Sequence, residues 1–350
     1  MTRADAVSVL GSMTALDGLA CEKLFTITAP EGKPIAVPVA VEDGSDPYLR
    51  LDPAGHRAYY EQHGYVVWRG LVDDARCGET KAAFVREVKP YSGFLYRQAS
   101  GNPERHVLTE GGHVLNSILN VQDLDASRFP SFRAASLAVI TDRRLQAAVE
   151  SLLGERGVLV QSMYFEGNPS TWAHQDTYYL DSADIGRMVG AWIALEDIEP
   201  GAGRFYVYPR SHRIDMARNG GDFDIAFHHD RYKRLVLDLI QSHGLECHAP
   251  ALRRGDVMFW NSRTIHGSLP TVQPRASRSS LTAHFIPASR PFLQYQTIEK
   301  PLRLREVNGI PVNHPKDQNR RVNRVVMFIE TRIPDAFRLG KRLAIKLLTS

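Results

Sequence analysis

The stretch "TWAHQDTYYL", residues 171–180, sets His174 and Asp176 two positions apart among aromatic and β-branched residues. Side chains on a strand alternate with period two. His174, Asp176, Tyr178 and Leu180 would then share one face, and Thr171, Ala173, Gln175, Thr177 and Tyr179 the other. An imidazole and a carboxylate side by side can hold a divalent metal and leave further coordination positions open. The spacing alone does not decide the matter, because His228 and Asp230 in "FHHDRYKR" repeat it. A facial site of two histidines and one carboxylate needs its third ligand from another strand, and "RRGDVMFWNSRTIHGSLP" offers His266.

The stretch "GSLPTVQPRASR" has the prolines and small polar residues of a turn, and "SSLTAHFIP" reads as a returning strand. A hairpin folded about residue 272 would place Arg278 opposite His266. On the returning strand Arg278, Ser280 and Thr282 share a polar face expected to line a pocket. Leu281, Ala283 and Phe285 share an apolar face expected to pack under helices. A buried arginine needs an anionic partner, and its planar fork suits a carboxylate. A metal with open positions beside such an arginine is a receptor for a dicarboxylic 2-oxo acid.

These residues need elements to position them. Residues 24–42 read as two short strands around a Pro-Glu-Gly-Lys-Pro turn. A helix from about 54 leads to the strand "YVVWRGL" and to a helix over 74–88, and 130–153 reads as one helix stopped at Gly154. From 157 to 287 the segments "GVLVQSMYFE", "TWAHQDTYYL", "RMVGAWIALEDI", "RFYVYPRS", "ECHAPAL", "DVMFWN", "TIHGS" and "SSLTAHFIP" are strand-like and separated by Gly/Pro turns. They predict a mainly β fold with flanking helices, a sandwich or jelly roll, interrupted by a charged, helix-like insertion near 220–242. The expected division is an N-terminal extension over 1–53, a catalytic domain over 54–290 and a basic C-terminal extension over 291–350.

With 350 residues the chain can bury a substantial core. Cys21, Cys77 and Cys247 are odd in number and widely spaced, which argues against a disulfide framework and for a reducing, cytoplasmic setting. No signal peptide and no spanning segment is read. The net charge of +4 is uneven: residues 301–350 carry 11 Lys/Arg against 4 Asp/Glu. No nucleic-acid-binding signature accompanies this, so nucleic acid is not expected as a partner. The tail "DAFRLGKRLAIKLLTS" reads as a basic amphipathic helix that packs on its own domain or contacts an anionic membrane or a partner.

Taken together, "YYEQHGYVVWRGL", "HQDTYYL", "GAWIALEDIEPGAGRFYVYPRSH", "GDVMFWNSRTIHGS" and "RSSLTAHF" resemble the phytanoyl-CoA dioxygenase-like iron(II)/2-oxoglutarate oxygenases over roughly residues 55–290. The resemblance implies a double-stranded β-helix of the cupin-like type. It implies iron(II) held by His174, Asp176 and His266, with 2-oxoglutarate and O2 as cosubstrates. Arg278 stands six residues before His284, where the family places the arginine that grips 2-oxoglutarate. Trp192, Ser268 and Gln161 match cosubstrate-lining positions. Asp176 argues against halogenation, for which a small residue replaces the carboxylate.

Hydroxylation of a small molecule of lipid, acyl or natural-product type is the implied activity. Desaturation, cyclisation or epimerisation are alternatives within the same chemistry, and a non-catalytic metal- or small-molecule-binding barrel is the alternative from another class. Tyr178 and Arg210 are the candidate substrate contacts. Arg210 stands where the family usually has glycine. Arg187 and Arg204 near strand ends hint at an anionic group, and His212 and His284 are expected to be structural.

Overall fold

The computed structural model describes residues 24–39, 48, 51–219, 224–225, 228–333 and 337. Strands β1 (Leu24–Thr28) and β2 (Pro34–Pro38) form the expected hairpin. Its turn residue Glu31 accepts hydrogen bonds from the Tyr206 and Tyr208 hydroxyls, which docks the hairpin on the barrel. Helix α1 (Pro53–His63) starts at Asp52, whose carboxylate accepts the Gly55 N–H, and stops at left-handed Gly64. After β3 (Tyr65–Trp68) comes α2 (Asp74–Ala83), capped by Asp73 and extended by a π turn over Phe84–Val88. The short strands β4 (Leu95–Tyr96), β5 (Pro103–Glu104) and β6 (Ile118–Leu119) follow.

The single helix expected over 130–153 is two, α3 (Pro130–Ile140) and α4 (Arg143–Leu153). The Thr141 hydroxyl bonds back to the Leu137 carbonyl at 2.6 Å, and Asp142 leaves helical geometry to cap Arg144 N–H at 2.8 Å. Short polar side chains here offer the backbone partners that compete with the helix ladder. Gly154 ends α4 in the left-handed conformation, as the sequence predicts.

The barrel strands are β7 (Gly157–Phe165), β8 (Leu180–Ser182), β9 (Val189–Ala194) and β10 (Phe205–Val207), then α5 (His229–Ser242), which is the charged insertion. After it run β11 (Val257–Asn261), β12 (His266–Ser268) and β13 (Ser280–Pro287). Strands β14 (Phe292–Gln294), β15 (Ile298–Lys300), β16 (Leu304–Val307) and β17 (Ile310–Asn313) precede α6 (Arg321–Arg332). "ECHAPAL" forms no strand beyond a bridge between His248 and Val207.

The main sheet runs β16-β17-β7-β13-β9-β11-β3, antiparallel except where β17 meets β7, with β6 also beside β7. A second layer holds β10-β12 and β15-β14-β8. The first part of the predicted C-terminal extension therefore completes both layers of the core: β14 pairs with β8, and β17 with β7. The amphipathic tail helix expected over 335–350 lies outside the described residues apart from Phe337. No helix among the described residues is long and apolar enough to cross a membrane.

The alternation predicted for β13 is observed. Leu281, Ala283 and Phe285 belong to the apolar core on the side where α3 and α4 pack. On the polar face Arg278 and Thr282 line the cavity between the layers, joined by His284, whereas Ser280, expected with them, is buried with its hydroxyl donating to the Arg278 carbonyl at 3.3 Å and is not among the lining residues.

Candidate metal and cosubstrate site

"TWAHQDTYYL" is not a continuous strand. His174 and His266 exchange backbone hydrogen bonds, each N–H donating to the other's carbonyl at 2.9 Å, and the chain then turns into a 3-10 helix at Asp176–Tyr178. The Tyr232 hydroxyl of α5 accepts the Gln175 N–H at 2.8 Å and fixes this turn. Period two fails from here on. Tyr178, expected on the ligand face, is buried outside the cavity lining, packed against Tyr232 with the rings tilted by 42° and its hydroxyl donating to the Ala217 carbonyl. The next residue, Tyr179, lines the cavity instead. As a substrate contact Tyr178 is therefore corrected to a core residue.

The turn brings three donor groups together. Nε2 of His174 and Nε2 of His266 each lie 3.4 Å from Asp176 Oδ1. Ligand atoms of all three residues fall within 4.8 Å of one another, and among the described residues this is the one such cluster of three. His174 Nδ1–H points at the Trp172 carbonyl, 2.9 Å away, and His266 Nδ1–H at the Thr264 carbonyl, 2.8 Å away. Those bonds set the tautomer of each ring and leave the Nε2 lone pairs aimed at the shared space. The donor set fits iron(II) with open facial positions.

Asp176 is held from behind. Its Oδ2 accepts the Trp260 indole N–H at 2.8 Å and faces His284 Nε2 at 3.2 Å, so Oδ1 is left toward the two histidines. Burial pushes the Asp176 carboxyl up, but the charge of His266, the bonds to His174 and His266 and the charge of His284 outweigh it and hold the group well below the usual carboxylate range. His284, expected as structural, is thus a partner of the carboxylate. The indole reaches Asp176 because residue 190 is glycine: a Cβ there would sit 2.3 Å from the Trp260 ring. A Trp260→Phe variant, which keeps an aromatic ring but no N–H, is expected to fold and to bind iron about 10–100-fold more weakly. Anaerobic Fe(II) or Co(II) titration measures this.

Arg278 is buried. Its Nη1 donates to the Gly203 carbonyl at 3.1 Å, its Nε has no hydrogen-bond partner, and its guanidinium lies 5.3 Å and 5.8 Å from the ring centres of Phe165 and Trp192. Among the described residues no carboxylate pairs with it. Burial alone pushes it down to about 9, still cationic at neutral pH. A buried guanidinium that lines the cavity without an anionic partner is what an incoming carboxylate would satisfy. The route by which Arg278 arrives differs from the hairpin expected about residue 272. Strand β12 pairs with β10, whereas β13 pairs with β7 and β9, so His266 and Arg278 meet across the two layers and are not opposite on one ladder.

Gln161, Trp192 and Ser268 all line the same cavity of about 370 Å³ as His174, Asp176, His266 and Arg278. The Ser268 hydroxyl is committed to the walls, donating to Asn168 Oδ1 at 2.9 Å and accepting the Thr171 N–H at 2.8 Å. Arg187 and Arg204 do not line the cavity and donate to main-chain carbonyls. Nor does Arg210, which is exposed and bonded to the His63 carbonyl through its N–H; its proposed contact with substrate is corrected. Its φ of +67° explains why glycine suits this position. Arg210→Gly is expected to raise stability by roughly 0.5–1 kcal/mol, the left-handed penalty less glycine's entropy, with turnover unchanged. Chemical denaturation beside an activity assay checks it. His228 and Asp230 are exposed, and His229 between them faces the cavity. Trp172, Tyr179 and His229 are lining residues that the sequence reading missed, since the turn at Asp176 and the docking of α5 decide them.

A two-layered β barrel with a facial His/Asp/His cluster and an unpaired arginine in one cavity defines a non-haem iron, 2-oxoglutarate-dependent oxygenase. Residues 60–278 match the phytanoyl-CoA dioxygenase (PhyH) family. The chain belongs to that family. It is 24% identical to bovine peroxisomal phytanoyl-CoA dioxygenase over 249 residues, which is 67% of this chain and 68% of the relative, and 23% identical to the human protein over 270 residues, 73% and 74% of the two chains. The same barrel fold occurs in the epimerase SnoN, crystallised with Fe3+, alpha ketoglutarate and nogalamycin RO: TM-score 0.50, 20% identity, 75% of this chain and 99% of that one. It occurs again in EctD from S. alaskensis with 2-oxoglutarate and 5-hydroxyectoine: TM-score 0.50, 18% identity, 79% and 92%.

Proposed function

We propose that this iron- and 2-oxoglutarate-dependent oxygenase hydroxylates a C–H bond of a small, largely apolar molecule of lipid, acyl or natural-product type, with His174, Asp176 and His266 as the metal ligands and Arg278 as the cosubstrate anchor. The observation that carries this reading is the opening of three convergent ligand atoms and one buried guanidinium without an anionic partner among the described residues onto a single cavity. Iron(II) in that cluster would chelate the 2-oxo acid end and, with O2, supply the oxidation that yields succinate, CO2 and a hydroxylated product.

The chain's own contribution is positional. The backbone carbonyls of Trp172 and Thr264 orient the two imidazoles, and Trp260 with His284 restrains the carboxylate to one free oxygen. Arg278 fixes the far carboxylate of the cosubstrate, with Trp192 and Phe165 excluding water from that pair. Trp172, Tyr179, Leu180 and Met163 give the rest of the cavity an apolar lining of a size suited to a small molecule.

The test is anaerobic titration of the iron(II)-loaded protein with 2-oxoglutarate, followed by its metal-to-ligand charge-transfer absorption, beside His174→Ala. Absorption in wild type alone supports the reading. Iron bound without the band would mean that the cluster holds metal for another purpose. Succinate release coupled to loss of an offered lipid, acyl or polyketide compound then identifies the substrate class.

A further inference from the structure

Helix α6 turns most of its apolar side chains outward. A surface helix ordinarily turns its apolar stripe to the core. The side of α6 facing the protein carries only two half-buried apolar residues, Val326 and Met327, beside Asn323, whose amide donates to the Asp317 carbonyl at 2.8 Å, and Glu330, which accepts the Tyr96 hydroxyl at 3.0 Å. Val322, Val325, Phe328, Ile329 and Ile333 point outward, with Phe328 62% exposed and Val322, Val325 and Ile333 each more than half exposed. None of the helix's residues is buried. Among the described residues nothing covers this face.

Its charge says what would. Arg321 and Arg332 are exposed along or beside the same side, with the Arg332 guanidinium 5.6 Å from the Phe328 ring centre, whereas Arg324 is turned back and donates to the Gln318 carbonyl at 2.9 Å. The helix's one acidic residue, Glu330, is turned inward and bonded. Residues 338–350 add Arg338, Lys341, Arg342 and Lys346 without an acid. A second copy of α6, or that basic segment folded back, would set cations against arginines. An anionic headgroup layer over hydrocarbon satisfies both features: the apolar side chains sink below the headgroups and the arginines reach up to the phosphates. We propose that the outward face of α6 docks the protein on an anionic phospholipid bilayer.

Sedimentation of the full-length protein with phosphatidylcholine vesicles, and with phosphatidylcholine–phosphatidylglycerol vesicles, tests this. Wild type should pellet with the mixed vesicles and not with the neutral ones, less so at high salt. Phe328→Glu should lower the partition at least about tenfold, and Arg321→Gln and Arg332→Gln about fivefold each. All three should keep wild-type turnover in vesicle-free buffer. Equal partition of Phe328→Glu and wild type would overturn the proposal, as would no wild-type binding to either vesicle. In the latter case, a melting temperature lowered by Phe328→Glu would assign the face to the chain's own remaining residues, and a concentration-dependent dimer dissociated by it would assign it to a second copy.

Discussion

Asp176→Asn is expected to lose iron and, with it, all turnover of 2-oxoglutarate above the level without protein, while the chain stays folded. The amide oxygen can still accept from the Trp260 indole, but the site loses its one anionic ligand, leaving two neutral imidazoles 3.4 Å from a neutral atom. The fall in iron affinity should exceed the factor of about 10–100 that follows from disturbing a residue one step behind a metal. Anaerobic Fe(II) titration with the charge-transfer band as readout measures it. Retention of wild-type affinity by Asp176→Asn would remove the carboxylate from the ligand set.

Arg278→Leu is expected to act in two opposite directions. Removing one member of a buried, hydrogen-bonded charge pair costs about 2–5 kcal/mol, which corresponds to a roughly 30- to several-thousand-fold weaker 2-oxoglutarate complex. Iron affinity in the absence of cosubstrate should be unchanged. Without 2-oxoglutarate, however, the guanidinium is buried with an unpartnered Nε and no carboxylate among the described residues. Its removal should leave the protein at least as stable as wild type, because an uncompensated buried charge is destabilising. Thermal unfolding with and without 2-oxoglutarate separates the two: the cosubstrate should raise the midpoint of wild type and not of the variant. Arg278→Lys should not restore binding fully, since an ammonium is a point charge without the planar fork. A variant that is destabilised without cosubstrate yet binds it normally would make Arg278 a structural residue only.

Both predictions concern residues that the sequence singled out by type and spacing. His174, Asp176 and His266 are legible because metal binding demands particular atoms. Arg278 is legible from its place on the polar face of the returning strand, six residues before His284, although the hairpin expected to set it opposite His266 is not the route by which it arrives. The face assignments on β13 follow from alternation alone, and the cavity-lining side is the polar one, as expected. The hairpin at the N-terminus and the capped ends of α1 and α4 follow from equally local chemistry, carried by Gly32, Asp52 and Gly154.

What local pattern does not carry is which elements face one another. Periodicity states where a side chain points within an element for as long as the element lasts, and "TWAHQDTYYL" stops being a strand at the residue whose direction matters most. The hydroxyl that pins that turn belongs to Tyr232, 57 residues away, so Tyr178 went to the core and Tyr179 to the cavity by a contact that no window of sequence contains. Trp260 and His284 reach Asp176 only because β11, β9 and β13 lie side by side and Gly190 leaves room for an indole. The sequence by itself thus determined the chemical identity of the donors, the alternation of the strands and the class of barrel. Tertiary structure decided the packing of strands and helices distant in sequence, and through it the one free oxygen of Asp176, the unpaired state of Arg278 and the outward face of α6. Side-chain chemistry is a property of each residue, whereas burial and partnership depend on long-range packing that local patterns do not encode.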